Sequence, residues 1–406
     1  MSQDQHTQGP SMISARPTRV LVLDANANTP PYDRALCRAL VAAGCNIELA
    51  TSRFLYEALP SPDGYRLRHA FFRLTTSHFG GEWVAERPAA RRLLKAAEYP
   101  LDWAILLAAL ERQRPDVVHI QWSPSPELDR AFWRWLRWRG VPVVYTAHNL
   151  LPHAARVCDH ERYRRLYHAA DAIIVHSRGG AAELVDRFGL PAQRVAVAPH
   201  GPLLEDEREL SRDEARRRLG LPLDARLVLF IGLIEAYKGL ADLIDAFARF
   251  APAQPGTWLV VAGRPNEPFG PHRQALESFG LLGRVHLDLR YLPRAELAAY
   301  LCSADVVALP YRQTTTSGML MAAWRFGRAV VATATGDLPE IVADGESGLL
   351  VSPAEPRALA DALSRVLADP SLELRLGEAG RQRTLTDLSW TEAARRTLDV
   401  YRAVSR

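Results

Sequence analysis

The chain is short of cysteine, carries no dominant charge of one sign, and lacks an apolar stretch long enough to cross a bilayer. Each shortage narrows what it can be. Its four cysteines, Cys37, Cys45, Cys158 and Cys302, are scattered through 406 residues with no CxxC pair and no metal-ligand spacing. That pattern reads as free thiols in a reducing compartment and excludes a disulfide scaffold or a zinc module. A formal charge of +4 tolerates anionic ligands and acidic lipid, but it does not announce nucleic acid. The longest apolar candidate, residues 101–110, is interrupted by Asp102 and is too short to span a membrane. Residues 1–17 are polar without the apolar core of a signal peptide, and are expected to be a disordered leader. His119, His148 and His153 have no partners at ligand spacing, so no metal is expected.

What is present is enough apolar sequence, 48% of the residues, for two ordinary globular cores. Short buried-type strands at 19–23, 46–50, 117–120, 141–145, 172–175 and 194–197 are separated by helical stretches. A second series follows at 227–231, 258–262, 285–287, 306–309 and 329–332. Such alternation predicts mostly parallel sheets covered on both faces, hence an α/β chain of two doubly wound, Rossmann-like domains facing across a cleft. The expected division is 18–204 for the first domain, 205–222 for a charged connector, 223–385 for the second, and 386–406 for a helix. That last helix would return to the first domain through Ala393, Ala394, Leu398 and Tyr401. Ligands belong where strand C-termini meet the cleft.

Four places carry candidate chemistry. After the strand at 306–309, Thr314-Thr315-Thr316-Ser317-Gly318 opens a helix, so the amides and hydroxyl of Ser317 and Gly318 can hold a phosphate without metal. Gly232 and Lys238-Gly239 follow the strand at 227–231, and Arg264 follows that at 258–262, offering an ammonium and a guanidinium for a diphosphate. In the first domain, His148 and Asn149 follow one strand, His119 ends another, and Asp24 ends the first; they are candidates for sugar contacts or proton transfer. Glu340, after Gly336 and Pro339, either opens a helix or touches ligand. Finally, the helix expected at 129–139 places Arg130, Arg134 and Arg137 on one stripe. Phe132, Trp135 and Leu136 fall opposite, with Trp133 and Trp138 on the flanks. It is either a plain surface helix or, with Trp83, Arg87, Arg91, Arg92 and Lys95, a basic, tryptophan-rich contact with an anionic membrane.

Taken in order, these motifs resemble the GT-B fold glycosyltransferases, in particular glycosyltransferase family 4. The resemblance rests on Asp116-Val117-Val118-His119, Thr146-Ala147-His148-Asn149, Pro199-His200-Gly201, Lys238-Gly239, Ala304-Asp305-Val306, Gly336-Asp337-Leu338-Pro339-Glu340 and Gly345-Glu346-Ser347-Gly348. It implies transfer of a hexosyl group from a nucleoside diphosphate sugar, GDP-mannose being the donor suggested, to an acceptor hydroxyl with no metal cofactor. It further implies a polyprenyl-diphosphate-linked or other lipid acceptor in bacterial surface polysaccharide assembly, and a cytoplasmic enzyme touching the inner face of the membrane. Two departures stand out. The family's two glutamates, separated by seven residues, are replaced by Thr314 and Ala322, and the arginine before the lysine by Leu233, which makes Arg264 or Arg312 the substitute cation. Thr316 and Asn149 join the expected donor contacts. Retention of configuration is favoured; in an inverting route Asp24, His119 or His148 would be the base. The rival readings are a sugar-nucleotide epimerase of the same fold and a non-catalytic nucleotide-sugar-binding protein.

Overall fold

A computed structural model describes residues 16–76, 88–152 and 155–405. Trp83, Arg87, His153 and nearly all of the expected leader lie outside the described residues. The first half contains β1 (Arg19–Asp24), α1 (Pro30–Ala42), β2 (Asn46–Thr51), β3 (Arg66–His69), α2 (Pro88–Leu110), β4 (Val117–Ile120), α3 (Pro126–Trp138), β5 (Val143–Thr146), α4 (Val157–Tyr167), β6 (Ala172–Val175), α5 (Arg178–Asp186) and β7 (Val195–Val197). The second contains α6 (Arg212–Leu219), β8 (Arg226–Ile231), α7 (Leu240–Phe250), β9 (Thr257–Ala262), α8 (Gly270–Ser278), β10 (Val285–Asp288), α9 (Arg294–Ser303), β11 (Val306–Leu309), α10 (Gly318–Arg325), β12 (Ala329–Thr333), α11 (Leu338–Ile341), β13 (Leu349–Val351), α12 (Pro356–Ala368) and α13 (Pro370–Leu385). A final helix, α14, covers Trp390–Val404.

Both sheets are wholly parallel, in the orders β3-β2-β1-β4-β5-β6-β7 and β10-β9-β8-β11-β12-β13. Strand order therefore reverses between β1 and β4 in the first sheet and between β8 and β11 in the second. The crevices at those reversals, beyond the strand C-termini, are where such sheets take ligands. Each sheet is packed on both faces by helices because its central strands are apolar on both sides. Strand β3, Arg-Leu-Arg-His, escaped the sequence reading because it is an open edge whose side chains are largely exposed, so it carries no apolar signature.

Helix α3 departs from the expected projection. Trp133, expected on a flank, is fully buried together with Leu136, whereas Trp135 and Phe132 are half-buried and Trp138 is exposed. The helix starts at Pro126 and turns Asp129 inward, which rotates the buried arc towards Trp133. At the other end of the chain, α14 packs on α1 and the first sheet through Ala393, Ala394, Leu398 and Tyr401. Its Trp390 donates from Nε1 to the Pro202 carbonyl at 2.7 Å. Asp305, one of the motif residues, is a buried anchor: it accepts from the Leu227 amide (2.5 Å) and pairs with Arg216 (2.7 Å), tying β8, β11 and α6 together.

Candidate active site

On the second half's side of the cleft, close backbone approaches set the geometry. Gly239 has φ +70°, and a Cβ there would lie 1.9 Å from the Pro310 carbonyl oxygen; Gly263 has φ +143°, and its Cβ would meet the Gly232 carbonyl at 1.9 Å. Only glycine fits where loops touch this closely. The turn Ala236–Lys238 is thereby pressed against the end of β11, and Lys238 lies against Gly232, whose hypothetical Cβ would be 3.4 Å from Nζ and 3.6 Å from Met319 Cγ. The ammonium and the first turn of α10 thus flank the same glycine. Burial pulls the Lys238 pKa down to about 8, with Glu235 acting in the opposite direction. Lys238 has no side-chain hydrogen bond or close ion pair with any described residue; a partly desolvated cation of this kind is suited to an incoming anion.

Ser317 caps α10, its Oγ accepting from the Leu320 amide at 3.2 Å and donating to the Tyr311 hydroxyl at 3.3 Å. Gly318 is the first helical residue. The turn before it is braced from behind: Thr316 Oγ1 donates to Asp337 at 2.6 Å, and the Asp337 amide donates to the Thr315 carbonyl at 2.9 Å. The sequence reading offered Thr316 as a donor contact, but its hydroxyl is committed to Asp337.

The facing side is a buried cluster of rings. His148 stacks on Trp122 with centroids 4.7 Å apart, and both its nitrogens are engaged, Nε2 with Gln121 at 3.1 Å and Nδ1 with His176 at 3.3 Å. His119 sits between the Tyr401 hydroxyl (2.6 Å) and Thr146 Oγ1 (2.7 Å). His200 donates from Nδ1 to the Gly201 carbonyl at 2.7 Å, which leaves the lone pair on Nε2; a Cβ on Gly318 would lie 3.9 Å from that nitrogen. Tyr32 makes edge contacts with His148, His176 and His200. Burial drives these imidazoles to low pKa, about 3 for His119 and His200, about 4 for His176, and well below the ordinary value for His148, so all are neutral at physiological pH. Asn149 lies half-buried beside His148. His176 had no role in the sequence reading, and His200 entered it only within the Pro199-His200-Gly201 motif. The signal was present nonetheless: a histidine lies within or just after each of β4, β5 and β6, near the strand C-termini.

Several expected site residues are engaged elsewhere. Arg312 is held bidentately by Asp242, both bonds 2.7 Å, so its charge is already neutralised. Arg264 reaches across the cleft to the Tyr56 hydroxyl at 3.3 Å, with its guanidinium over the Tyr56 ring. Glu340 accepts from the amides of Arg178 (2.9 Å) and Gly179 (3.1 Å), capping α5 of the other half, and beside it Ser177 donates to Asp337 at 2.6 Å. Asp24 is buried; its Oδ2 accepts from the amides of Asn28 (2.6 Å) and Thr29 (3.2 Å). Burial raises its pKa, and it shares a buried contact with the Asp33 carboxyl, whose pKa is raised further. His119 is occupied on both nitrogens; Asp24 is held into its own turn through Oδ2, while its Oδ1 is buried with no hydrogen-bond partner among the described residues. A cavity of about 580 Å³ lies between the halves, lined by Leu150, Leu151 and Gly180 on one side and Gln313, Thr315 and Gly336 on the other. Among the described residues, no group of three histidine, cysteine or acidic side chains is placed to hold a metal.

This arrangement has clear relatives. Residues 34–202 match the family described as Glycosyltransferase Family 4, and residues 211–383 that described as Glycosyl transferases group 1. A D-inositol 3-phosphate glycosyltransferase of Nocardioides sp. is 31% identical over 408 residues, covering 91% of this chain and 84% of its own. The chain belongs to this glycosyltransferase family. It is a GT-B enzyme, two parallel-sheet domains facing across a cleft. The sucrose-phosphate synthase of Thermosynechococcus elongatus shares the fold with a TM-score of 0.73 at 21% identity, over 95% of this chain and 99% of that one. Anabaena HepE in complex with UDP does so with a TM-score of 0.70 at 17% identity, over 95% and 100%. The two positions where the family resemblance calls for glutamates are both buried here. Thr314 donates to the Thr316 carbonyl at 3.2 Å, and Ala322, on the inner face of α10, lies in the core.

Proposed function

We propose that the enzyme transfers a hexosyl group from a nucleoside diphosphate sugar to the hydroxyl of a lipid-linked saccharide in surface polysaccharide synthesis. The observation that carries this reading is the Lys238 ammonium lying unpaired beside the capped first turn of α10. The diphosphate would sit there, on the amides of Ser317 and Gly318, with Gly232 allowing close approach and charge on the leaving group stabilised in a desolvated cleft. Asn149 would meet the sugar from the other side, with His148, both of whose nitrogens are engaged, orienting it by packing alone. Bond formation joins the acceptor oxygen to C1 as the C1–O bond to phosphate breaks, and the acceptor proton passes to a diphosphate oxygen. That retaining route is favoured because His119 and His148 have both ring nitrogens engaged and Asp24 is buried.

GDP-mannose and the UDP-sugars are the donors to try first, the former from the family resemblance and the latter because a structural neighbour holds UDP. A second reading, a phosphorylated polyol as acceptor, is favoured by the relative named for D-inositol 3-phosphate. The test is calorimetric titration with GDP, UDP, ADP, TDP and their sugars, followed by turnover with the donor that binds. The expected result is diphosphate-dependent binding that Lys238→Ala weakens while nucleoside binding is unchanged. Equal loss for nucleoside and nucleoside diphosphate would remove Lys238 from the phosphate site. Consumption of donor with no acceptor present, giving an epimeric sugar nucleotide, would overturn the transfer reading.

A further inference from the structure

Helix α2 has two faces of opposite character, and the outer one is left bare. Tyr99, Trp103, Leu106 and Leu110 point into the first core. On the other side, Leu93 is 74% exposed, Leu101 63% and Ile105 59%; Leu94, Ala97, Ala104 and Ala108 are also exposed. These positions recur at the helical period and form an apolar stripe along a helix of 23 residues, about 35 Å long. None of them belongs to a hydrophobic core of the described residues.

The only two carboxylates of α2 are both withdrawn from this face. Glu98 accepts from the amides of Leu74 (2.6 Å) and Thr75 (3.1 Å), and Asp102 from the amide of Phe72 (2.6 Å). What remains outside is apolar or basic, with Arg92 exposed near the start of the helix. Helix α3 packs alongside, with Trp103 stacked on Phe132 at 4.8 Å and Tyr99 bonded to Asp129. It adds exposed Leu128, Arg134 and Trp138. The stripe is not a transmembrane span, since no described helix is long and apolar enough to cross a bilayer.

We propose that the outer face of α2, continued by Trp138 and Arg134 of α3, docks in the plane of an anionic lipid surface. Apolar side chains would enter the acyl boundary while Arg92 and Arg134 meet the headgroups. Charge disfavours a second copy of the chain as occupant: a symmetric pairing of this face would set Arg92 and Arg134 near their copies, and the nearest exposed acids, Glu111 and Glu127, are already paired with Arg139 and Arg162. The end of α2 that carries Arg92 also adjoins the cleft, where Lys95 donates to Asn26 at 2.9 Å in the loop after β1. A lipid-anchored acceptor would therefore reach the cleft mouth from the docked surface. The proposal relocates the contact that the sequence placed on Trp135 and Arg137, since Trp135 is half-buried and Arg137 is bonded to Asp171 at 2.8 Å. It extends the lipid-linked acceptor reading, but its test does not depend on turnover.

The test is flotation of the full chain with phosphatidylcholine vesicles, with and without phosphatidylglycerol. Wild type should bind the anionic vesicles and release from them at high salt. Leu101→Glu with Ile105→Glu should lower the bound fraction about ten-fold or more, with donor calorimetry unchanged. Arg92→Glu with Arg134→Glu, confined to solvated positions and safe for folding, should lower it to a similar degree. The proposal falls if wild type ignores anionic vesicles, or if both variants bind them as wild type does. It falls equally if the face proves to hold a dimer that Leu101→Glu with Ile105→Glu dissociates while vesicles are never bound. Loss of vesicle binding with donor binding intact would separate this result from any failure of the transferase reading.

Discussion

On the second half's side of the cleft the site is shaped by backbone: Gly239 and Gly263 let loops touch, Ser317 caps α10, and a single lysine supplies charge. On the first half's side it is shaped by side chains, with His119, His148, His176 and His200 packed among Tyr32, Trp122 and Tyr401. The difference suits the two tasks. A phosphate asks for rigid donors and a cation, which backbone amides supply without reorganisation. A sugar and its acceptor would ask for flat, neutral walls, and buried imidazoles with low pKa can form those.

Four experiments would sharpen or break that contrast. The largest effect is expected from Gly263→Ala, which forces a Cβ onto the Gly232 carbonyl at a left-handed φ and should cost about 3 kcal/mol of stability. A denaturation midpoint close to wild type would show that the loops yield. Next is the charge at Lys238: its alanine variant should bind nucleoside diphosphates about ten- to a hundred-fold more weakly. In wild type, diphosphate affinity should fall as pH rises above about 8, where the free ammonium loses its proton; a flat profile to pH 10 would argue against direct contact.

The third concerns the histidine wall. In the unfolded chain these rings take up protons near their ordinary value of about 6.5, whereas in the folded chain they stay neutral down to about 3 or 4. Their contribution to stability is therefore present above that ordinary value and lost as pH falls towards 4. Thermal melts should decline across this window, and His200→Asn should make the decline shallower. The smallest effect is Ser317→Ala, which removes a helix cap worth about 1 kcal/mol. It should weaken diphosphate binding only modestly, because the amides remain.

The alternation of apolar runs with helical stretches was enough to read two parallel sheets, since strands buried on both faces need an unbroken apolar sequence. Lys238 and the Ser317-Gly318 turn were legible for a similar reason: each follows a strand end directly, so chain order alone puts it at the cleft. Arg264, Arg312 and Glu340 were less legible. A long charged side chain reaches several partners, and which one it takes depends on what the fold brings near: Tyr56, Asp242 and the amides of α5. His200 entered the sequence reading only as part of a motif, because its approach to Gly318 joins two residues far apart in the chain.

The amino-acid sequence by itself determined the fold class, the family and the place of the Ser317-Gly318 turn at the start of a helix, because those depend on local periodicity and on short motifs at strand ends. Only the tertiary structure decided that Lys238 has no side-chain hydrogen bond or close ion pair among the described residues, which histidines cluster around Tyr32, and which helix face is left bare. Such outcomes depend on pairings between residues far apart in the chain, as when Glu98 and Asp102 turn inward to the loop at 72–75 and strip α2 of its negative charge.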